Sequence, residues 1–417
     1  MSVLNLYPTV RPTLSFDFVN AGVLDPSVTF TRTTNATYFD ETGILRVANP
    51  NTPRFDFNPS TLAAQGLLIE ESRTNSIRNN TMVGAVAGTP GTNPTNWIVG
   101  ATADGLTKEI VGTGTQNGIT YVDIRWSGTS GTGSTTTLAT FEANNQIAAL
   151  NTQTWAGSSF IALVGGTLTN VSLLELRIRY LDSGGSVLQQ GGVSVSSATA
   201  TLQRFSTAQT AANASIAFVN LSVLGDFVNS SAVDFTLRIG LPQLEQGAFA
   251  TSVIPTTTTA LTRSADVASV NTLSPWYNAT AGTLYAEFSI PAATASRSQV
   301  TFGDGTSNER MIINNNTSLA GTSWRIVDGG VDQAEIIVTT SFANNATVKV
   351  AGAYTINDFA MSQNGGTVGT DTSGTLPTVT TLYLGSNGTT TYATSYLRRI
   401  TYYPVRLTNA QLQNLTA

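Results

Sequence analysis

The sequence predicts an all-β protein, and three observations carry that reading. Apolar and polar residues alternate with period two in several stretches, Thr makes up roughly one residue in six, and Gly and Asn clusters punctuate the runs. Residues 173–180 place Leu174, Leu176, Ile178 and Tyr180 on one face and Glu175, Arg177 and Arg179 on the other. Residues 283–290 repeat the pattern, with Leu284, Ala286, Phe288 and Ile290 inward and Thr283, Tyr285, Glu287 and Ser289 outward. The run 235–239 is a third case. Strands with one dry face suit antiparallel sandwiches. Gly131 to Gly133, Gly191–Gly192, Gly329–Gly330 and Asn364–Gly366 read as turns between them.

Helix is scarce. Residues 408–415 form the clearest candidate, because Thr408 and Gln411 make a T-x-x-Q capping box that satisfies two orphaned backbone donors. A shorter helical turn is expected from Asn58–Pro59, stopping at Gly66. Leu412 and Leu415 are expected to pack on the strand that carries Tyr402 and Tyr403.

Composition narrows the chemistry. The 417 residues are 11% charged and 41% hydrophobic, with a net charge of −5. That length suits two to four domains at roughly 100–200 residues each. With no Cys and no His, disulfides, thiolate and imidazole metal sites, cysteine nucleophiles and Ser-His-Asp triads are excluded. Lys108 and Lys349 are the only lysines, so no basic field exists to wrap nucleic acid. No apolar stretch reaches the ~20 residues of a bilayer span, and residues 1–8 show no secretory pattern. Neither nucleic-acid binding, membrane insertion nor a signal peptide is expected.

Punctuation divides the chain into residues 1–80, rich in aromatic and Asp-bearing hairpins, then 81–254, then 261–417 after the Pro255–Thr259 seam. A Thr/Gly/Pro/Asn stretch over 81–96 reads as a connector. Phe30-Thr31-Arg32-Thr33 is echoed by Leu261-Thr262-Arg263-Ser264, too briefly for a repeat.

Several phrases are specific. They include Thr29-Phe30-Thr31-Arg32 with Ala36-Thr37-Tyr38-Phe39-Asp40, then Pro53-Arg54-Phe55-Asp56. Gly66-Leu67-Leu68-Ile69-Glu70 with Ser72-Arg73-Thr74-Asn75 is the most specific string. Together they resemble a family of tailed-bacteriophage virion proteins seen as head fibres, tail fibres and minor tail proteins. The middle segment, ending in Pro242–Gly247 and Ala250–Pro255, is similar to the carbohydrate-binding-module sandwiches of such fibres. The end resembles concanavalin A-like or laminin-G-like jelly rolls through Tyr383-Leu384-Gly385-Ser386, residues 398–404 and residues 407–412.

The resemblance implies an N-terminal particle-attachment region, two antiparallel jelly-roll sandwiches and a short C-terminal helix. It also implies virion location after assembly in the host cytoplasm, other virion proteins as partners, and a homo-oligomer, commonly a trimer. Arg32, Arg54, Glu70 and Arg73 are the candidate attachment residues; the competing reading makes them ion-pair struts inside hairpins.

Glycan cleavage needs two carboxylates roughly 5–9.5 Å apart. Glu70 and Glu71 would point to opposite faces of a strand, and Asp304, Glu309, Asp328, Asp332 and Glu335 are merely dense in sequence. No catalytic residue is assigned. These acids could hold a structural calcium, although no D-x-D-x-D-G loop is present; otherwise no cofactor or metal is expected. Sugar binding needs an aromatic face with amides or charged groups beside it. Trp276, Tyr277, Trp324, Trp97 and Trp126 are the available platforms, and Trp276, Tyr277 and Trp324 are the candidates, with Asn308, Arg310 and Asn364 as hydrogen-bonding partners. The expected function is therefore a non-enzymatic fibre or spike protein that displays sandwiches to bacterial surface polysaccharide. A purely structural head decoration or minor tail protein, and a polysaccharide depolymerase, are the alternatives.

Overall fold

A computed structural model of the chain describes residues 7–100, 102–131, 135–292, 295–317, 321–389 and 391–417. Nearly all regular structure is antiparallel strand, with one short helix at the C-terminal end. The chain divides into two compact units: residues 1–72 with 264–417, and residues 73–263.

This division differs from the three segments read from punctuation. Residues of the expected attachment region complete both sheets of the jelly roll instead of standing apart. Leu14–Asp17 and Ala64–Ile69 pair with Ser395–Tyr403, and Val28–Thr31 pairs with Val267–Val270. Sheet partners separated by more than 200 residues leave no local mark, which is why punctuation could not reveal them.

The first unit is a sandwich of an eight-stranded and a seven-stranded sheet. Its core contains Leu284, Ala286 and Phe288, as the alternation predicted, together with Trp324, Ile326 and Tyr402. The predicted outward residues of the same strand, Thr283, Tyr285 and Ser289, are nevertheless buried. A second layer accounts for Thr283 and Tyr285. The segment after Tyr403 folds back across the outer face, where Leu407 and Leu412 pack on Tyr285, Ala351, Ala353 and Tyr403. The Asn409–Thr416 helix is held there by both bonds of its capping box, a device worth about 1 kcal/mol.

The second unit packs a six-stranded sheet on a four-stranded one. Leu174, Leu176, Ile178 and Tyr180 all face its core, beside Trp126 stacked on Phe235 at 5.6 Å. Its two ends are tied together: Arg73–Asn75 pairs with Leu261–Arg263. The specific phrases at those ends bond to each other. Asn75 accepts from Leu244 N–H and donates to the Ile254 carbonyl, Gln243 accepts from Ile254 N–H, and Glu245 accepts from Thr251. Arg73 donates to the Gln246 carbonyl and lies 5.0 Å over Phe249. Gly247 beside it takes φ +149°, a conformation L side chains rarely adopt, and a Cβ there would displace the guanidinium.

Two local expectations fail for stated reasons. Asn58 accepts from the backbone of Ser60 and Thr61, and Leu62 takes φ +59°, so a tight turn replaces the helical one and Gly66 sits inside a strand. Gly191–Gly192 also lies in a strand, opposite Ile178 and Arg177. A Cβ on Gly192 would sit 2.5 Å from the Leu176 carbonyl, so close approach rather than turning selects glycine. Gly329–Gly330 and Asn364–Gly365 are turns; the predicted turn over 131–133 extends outside the described residues.

A charged core closes the first unit. Asp266 accepts from Arg32 Nη1 at 3.0 Å and from Arg54 Nη2, and Arg54 Nη1 donates to Glu70 at 2.7 Å. Arg32 also donates to the carbonyls of Thr34, Ala48 and Asn49. Two cations thus meet two carboxylates, and all four side chains are buried. Burial opposes the Arg54 cation, but Asp266 and Glu70 outweigh it and hold the guanidinium protonated. A fifth group lies beside them. Burial pushes the Asp56 carboxyl up to about 6, against hydrogen bonds from Phe39 N–H and Tyr396 Oη–H and the charge of Arg54.

Three outcomes are expected. Residues 73–263 alone will unfold cooperatively in urea, whereas 264–417 alone, deprived of its partner strands, will show no cooperative transition. Arg54→Met will lower the unfolding free energy by about 3–5 kcal/mol, because Glu70 and Asp266 lose the buried cation they share. Asp56 will make stability fall with pH. Its folded value of about 6 exceeds its ordinary 3.8, so its contribution is complete below the lower value and is lost as pH climbs through the upper. The difference is on the order of 2–3 kcal/mol, and Asp56→Asn will flatten denaturation midpoints measured between pH 4 and 7.

Candidate functional site

The predicted site residues do not converge. Trp324 is fully buried and packs over Gly352, where a Cβ would lie 2.5 Å from the indole, so it is core rather than platform. Trp276 and Tyr277 are half-buried, not displayed. Their rings pack on Tyr402 at 5.4 and 5.7 Å and on Phe302 at 6.0 and 5.0 Å, and burial raises the Tyr277 hydroxyl to about 12. Trp97 and Trp126 are buried as well. Asn308 is exposed on a loop, and Arg310 is half-buried with its pKa lowered by burial and by Arg325.

The attachment residues are corrected in the same way. Arg32, Arg54 and Glu70 lie wholly inside the first unit and offer nothing to a partner, and Arg73 is held by the Gln246 carbonyl. The competing reading of ion-pair struts holds for Arg32, Arg54 and Glu70, although Asp266, their shared partner, comes from far along the chain rather than from the same hairpin. The acids weighed for hydrolysis or calcium are occupied locally. Asp304 accepts from Thr306, Glu309 from Gly329 and Thr378 N–H, Asp328 from Thr375 and Asp332 from Arg325, while Glu335 is exposed. Among the described residues no group of three or more acids converges on a point.

A site does exist on the outer face of the eight-stranded sheet, where the C-terminal helix stops covering it. Three neighbouring strands, Thr347–Thr355, Ala281–Ser289 and Ser395–Tyr403, build its floor. Register sets the rows: Lys349, Glu287 and Arg399 lie abreast, and Tyr285 lies beside Thr401. Tyr403 follows one row on. A β-bulge between Glu287 and Phe288 leaves Arg398 as the extra residue, and its side chain joins Arg399 at the floor. Bulges re-aim side chains in this manner. The resulting cleft holds about 460 Å³ and is closed at its edges by Val19, Asn20 and Leu415. That size suits a small ligand of one or two sugar rings.

Glu287 is the hub. It accepts from Arg398 Nε at 3.1 Å and Tyr285 Oη at 3.2 Å, with Arg399 Nη1 at 3.9 Å. Arg399 also donates to Asp17 at 3.0 Å, and that bond raises its pKa. Lys349 donates to the Ala417 carbonyl, while its backbone is pinned by Asn364. Asn364 is thus the one predicted residue that bears on the cleft, as support for Lys349. The Tyr403 hydroxyl, its pKa raised by burial, stays protonated and makes no hydrogen bond among the described residues. Sequence reasoning passed over this cleft, although the outward set Tyr285 and Glu287 and the Arg398–Arg399 doublet were its visible signal. A second, neutral cleft of about 210 Å³ is lined by Asn315, Asn316, Phe342 and Asn344.

No protein-family model and no curated protein matches the chain. Among solved structures it is similar to the CBM40 module of the Ruminococcus gnavus IT-sialidase bound to alpha2,3 sialyllactose, at 16% identity over 34% of this chain and 84% of that one, with a TM-score of 0.30. It is also similar to the Trypanosoma rangeli sialidase, at 15% identity over 36% of this chain and 26% of that one, with a TM-score of 0.28.

Proposed function

We propose that this chain is a non-enzymatic structural protein of a tailed-phage virion that displays β-sandwich units and holds bacterial surface glycan in the outer-face cleft of the first. The cleft carries the binding half of this reading. It is open, of saccharide size, and lined by polar groups fixed on three strands rather than on loops. Rigid strands position hydrogen-bonding groups without an ordering cost on binding. The virion half rests on the phrases shared with phage fibre proteins, and on a charge-poor, tightly hydrogen-bonded fold suited to a particle outside the cell.

A hydrolase is disfavoured by the cleft itself, because Glu287 is its single carboxylate and already accepts from Arg398 and Tyr285. Weak single sites serve adhesion well. A millimolar site is worth about −4 kcal/mol, and copies on one particle multiply it through avidity; a trimer is the assembly this reading favours.

The test is retention of the full chain on immobilised capsule and lipopolysaccharide from candidate hosts, alongside mass spectrometry of purified particles. Retention without release of reducing ends, and presence in the particle, are expected. Absence from particles overturns the virion assignment, failure to bind any host polysaccharide leaves the purely structural alternative, and released reducing ends make the protein an enzyme.

A further inference from the structure

The donor and acceptor inventory of the outer-face cleft is lopsided. Three of the chain's 20 basic residues, Lys349, Arg398 and Arg399, line it beside one of the 25 acidic residues, Glu287. Asp17 offsets part of the Arg399 charge from outside the lining. Within the lining itself cations outnumber carboxylates, in a protein whose net charge is −5.

Hydrogen bonding points the same way. Glu287, the one carboxylate in the lining, already receives Arg398 Nε and Tyr285 Oη. Among the described residues, Arg399 Nε and Nη1, Arg398 Nη2, Thr401 Oγ1 and Tyr403 Oη make no hydrogen bond, and Lys349 Nζ makes one of its three. Donors therefore await acceptors, and the Nε and Nη1 of Arg399 can each donate a charge-assisted hydrogen bond to an anion oxygen. The hydroxyls of Thr401 and Tyr403, one and two rows away, suit neutral ring oxygens.

We propose that this cleft binds the carboxylate-bearing sugar of an acidic surface polysaccharide, with the carboxylate on Arg399 and Lys349 and the sugar's hydroxyl and ether oxygens on Thr401 and Tyr403. The proposal rests on the glycan-binding reading above and narrows it to one ligand class. Association will weaken with salt, since the pairing is partly exposed.

Calorimetric titration of the full chain with trigalacturonic acid, with its carboxyl-reduced neutral counterpart and with sodium sulfate separates the outcomes. The acidic trisaccharide is expected to bind at least tenfold more tightly than either control. Arg399→Gln and, on a different strand, Lys349→Gln should each weaken it about tenfold while leaving the unfolding midpoint in place. Equal binding of the neutral trisaccharide overturns the acidic class but keeps the glycan reading. Sulfate binding as tightly as the sugar makes the cleft a simple anion site and overturns the proposal. If trigalacturonic acid fails to bind, or if both variants bind it unchanged, the proposal falls; retention of the protein on host polysaccharide would then show that the broader reading survives it.

Discussion

Asp266 sits between two buried arginines that come from the other end of the chain, and the first unit depends on that arrangement. Burying an ion costs several kcal/mol, so such a group persists only where its charge and lone pairs are met. Here Arg32 and Arg54 hold the two carboxylate oxygens of Asp266, Glu70 and the Thr37 carbonyl accept from Arg54 Nη1, and backbone carbonyls accept from the other Arg32 nitrogens. Removing any one partner leaves an uncompensated charge in a dry interior. The network therefore specifies which distant segments must meet, a task that interchangeable Val, Ile and Leu contacts perform poorly.

The second unit is inserted in the sequence of the first, between Ser72 and Ser264. Residues 73–263 begin and end in one short ladder, Arg73–Asn75 against Leu261–Arg263, so the chain leaves the first unit and returns to it at neighbouring points. The side chains flanking that ladder are satisfied within the inserted unit itself, through Asn75, Gln243 and Glu245. The phrases that made the sequence look familiar are thus mostly devices for joining segments.

What could be read from the sequence follows from how far each signal reaches. Alternation gave the core faces of residues 173–180 and 283–290, and Thr408 with Gln411 gave the terminal helix, because period and capping are local properties. Partnering is not local. Arg54 and Asp266 are 212 residues apart, so an ion-pair strut could be read from the sequence but not the partner that completes it. Trp324 failed as a glycan platform for a related reason: its alternation with Ile326 matched a core face, and Gly352 on the opposite sheet leaves room for the indole. The cleft stayed hidden because it needs three strands in register and a bulge, which no single stretch encodes.

The outer face of the eight-stranded sheet shows how binding chemistry and folding can share one surface. A sheet whose inner face already packs against a partner can leave its outer face to water, yet here Leu407 and Leu412 bury the Tyr285 and Tyr403 end of that face. The cover ends near Leu415, and the next row, Lys349, Glu287 and Arg399, is left at the bottom of a cleft instead of on an open plane. The partial cover lowers the local dielectric around three cations without sealing them off, which strengthens their pull on an anion relative to the same groups on a flat surface. Glu287 accepts from Arg398 and lies 3.9 Å from Arg399, which offsets the repulsion between the two guanidinium groups. The helix thus has a second consequence beyond packing, because its length sets where the apolar cover stops and the charged floor begins.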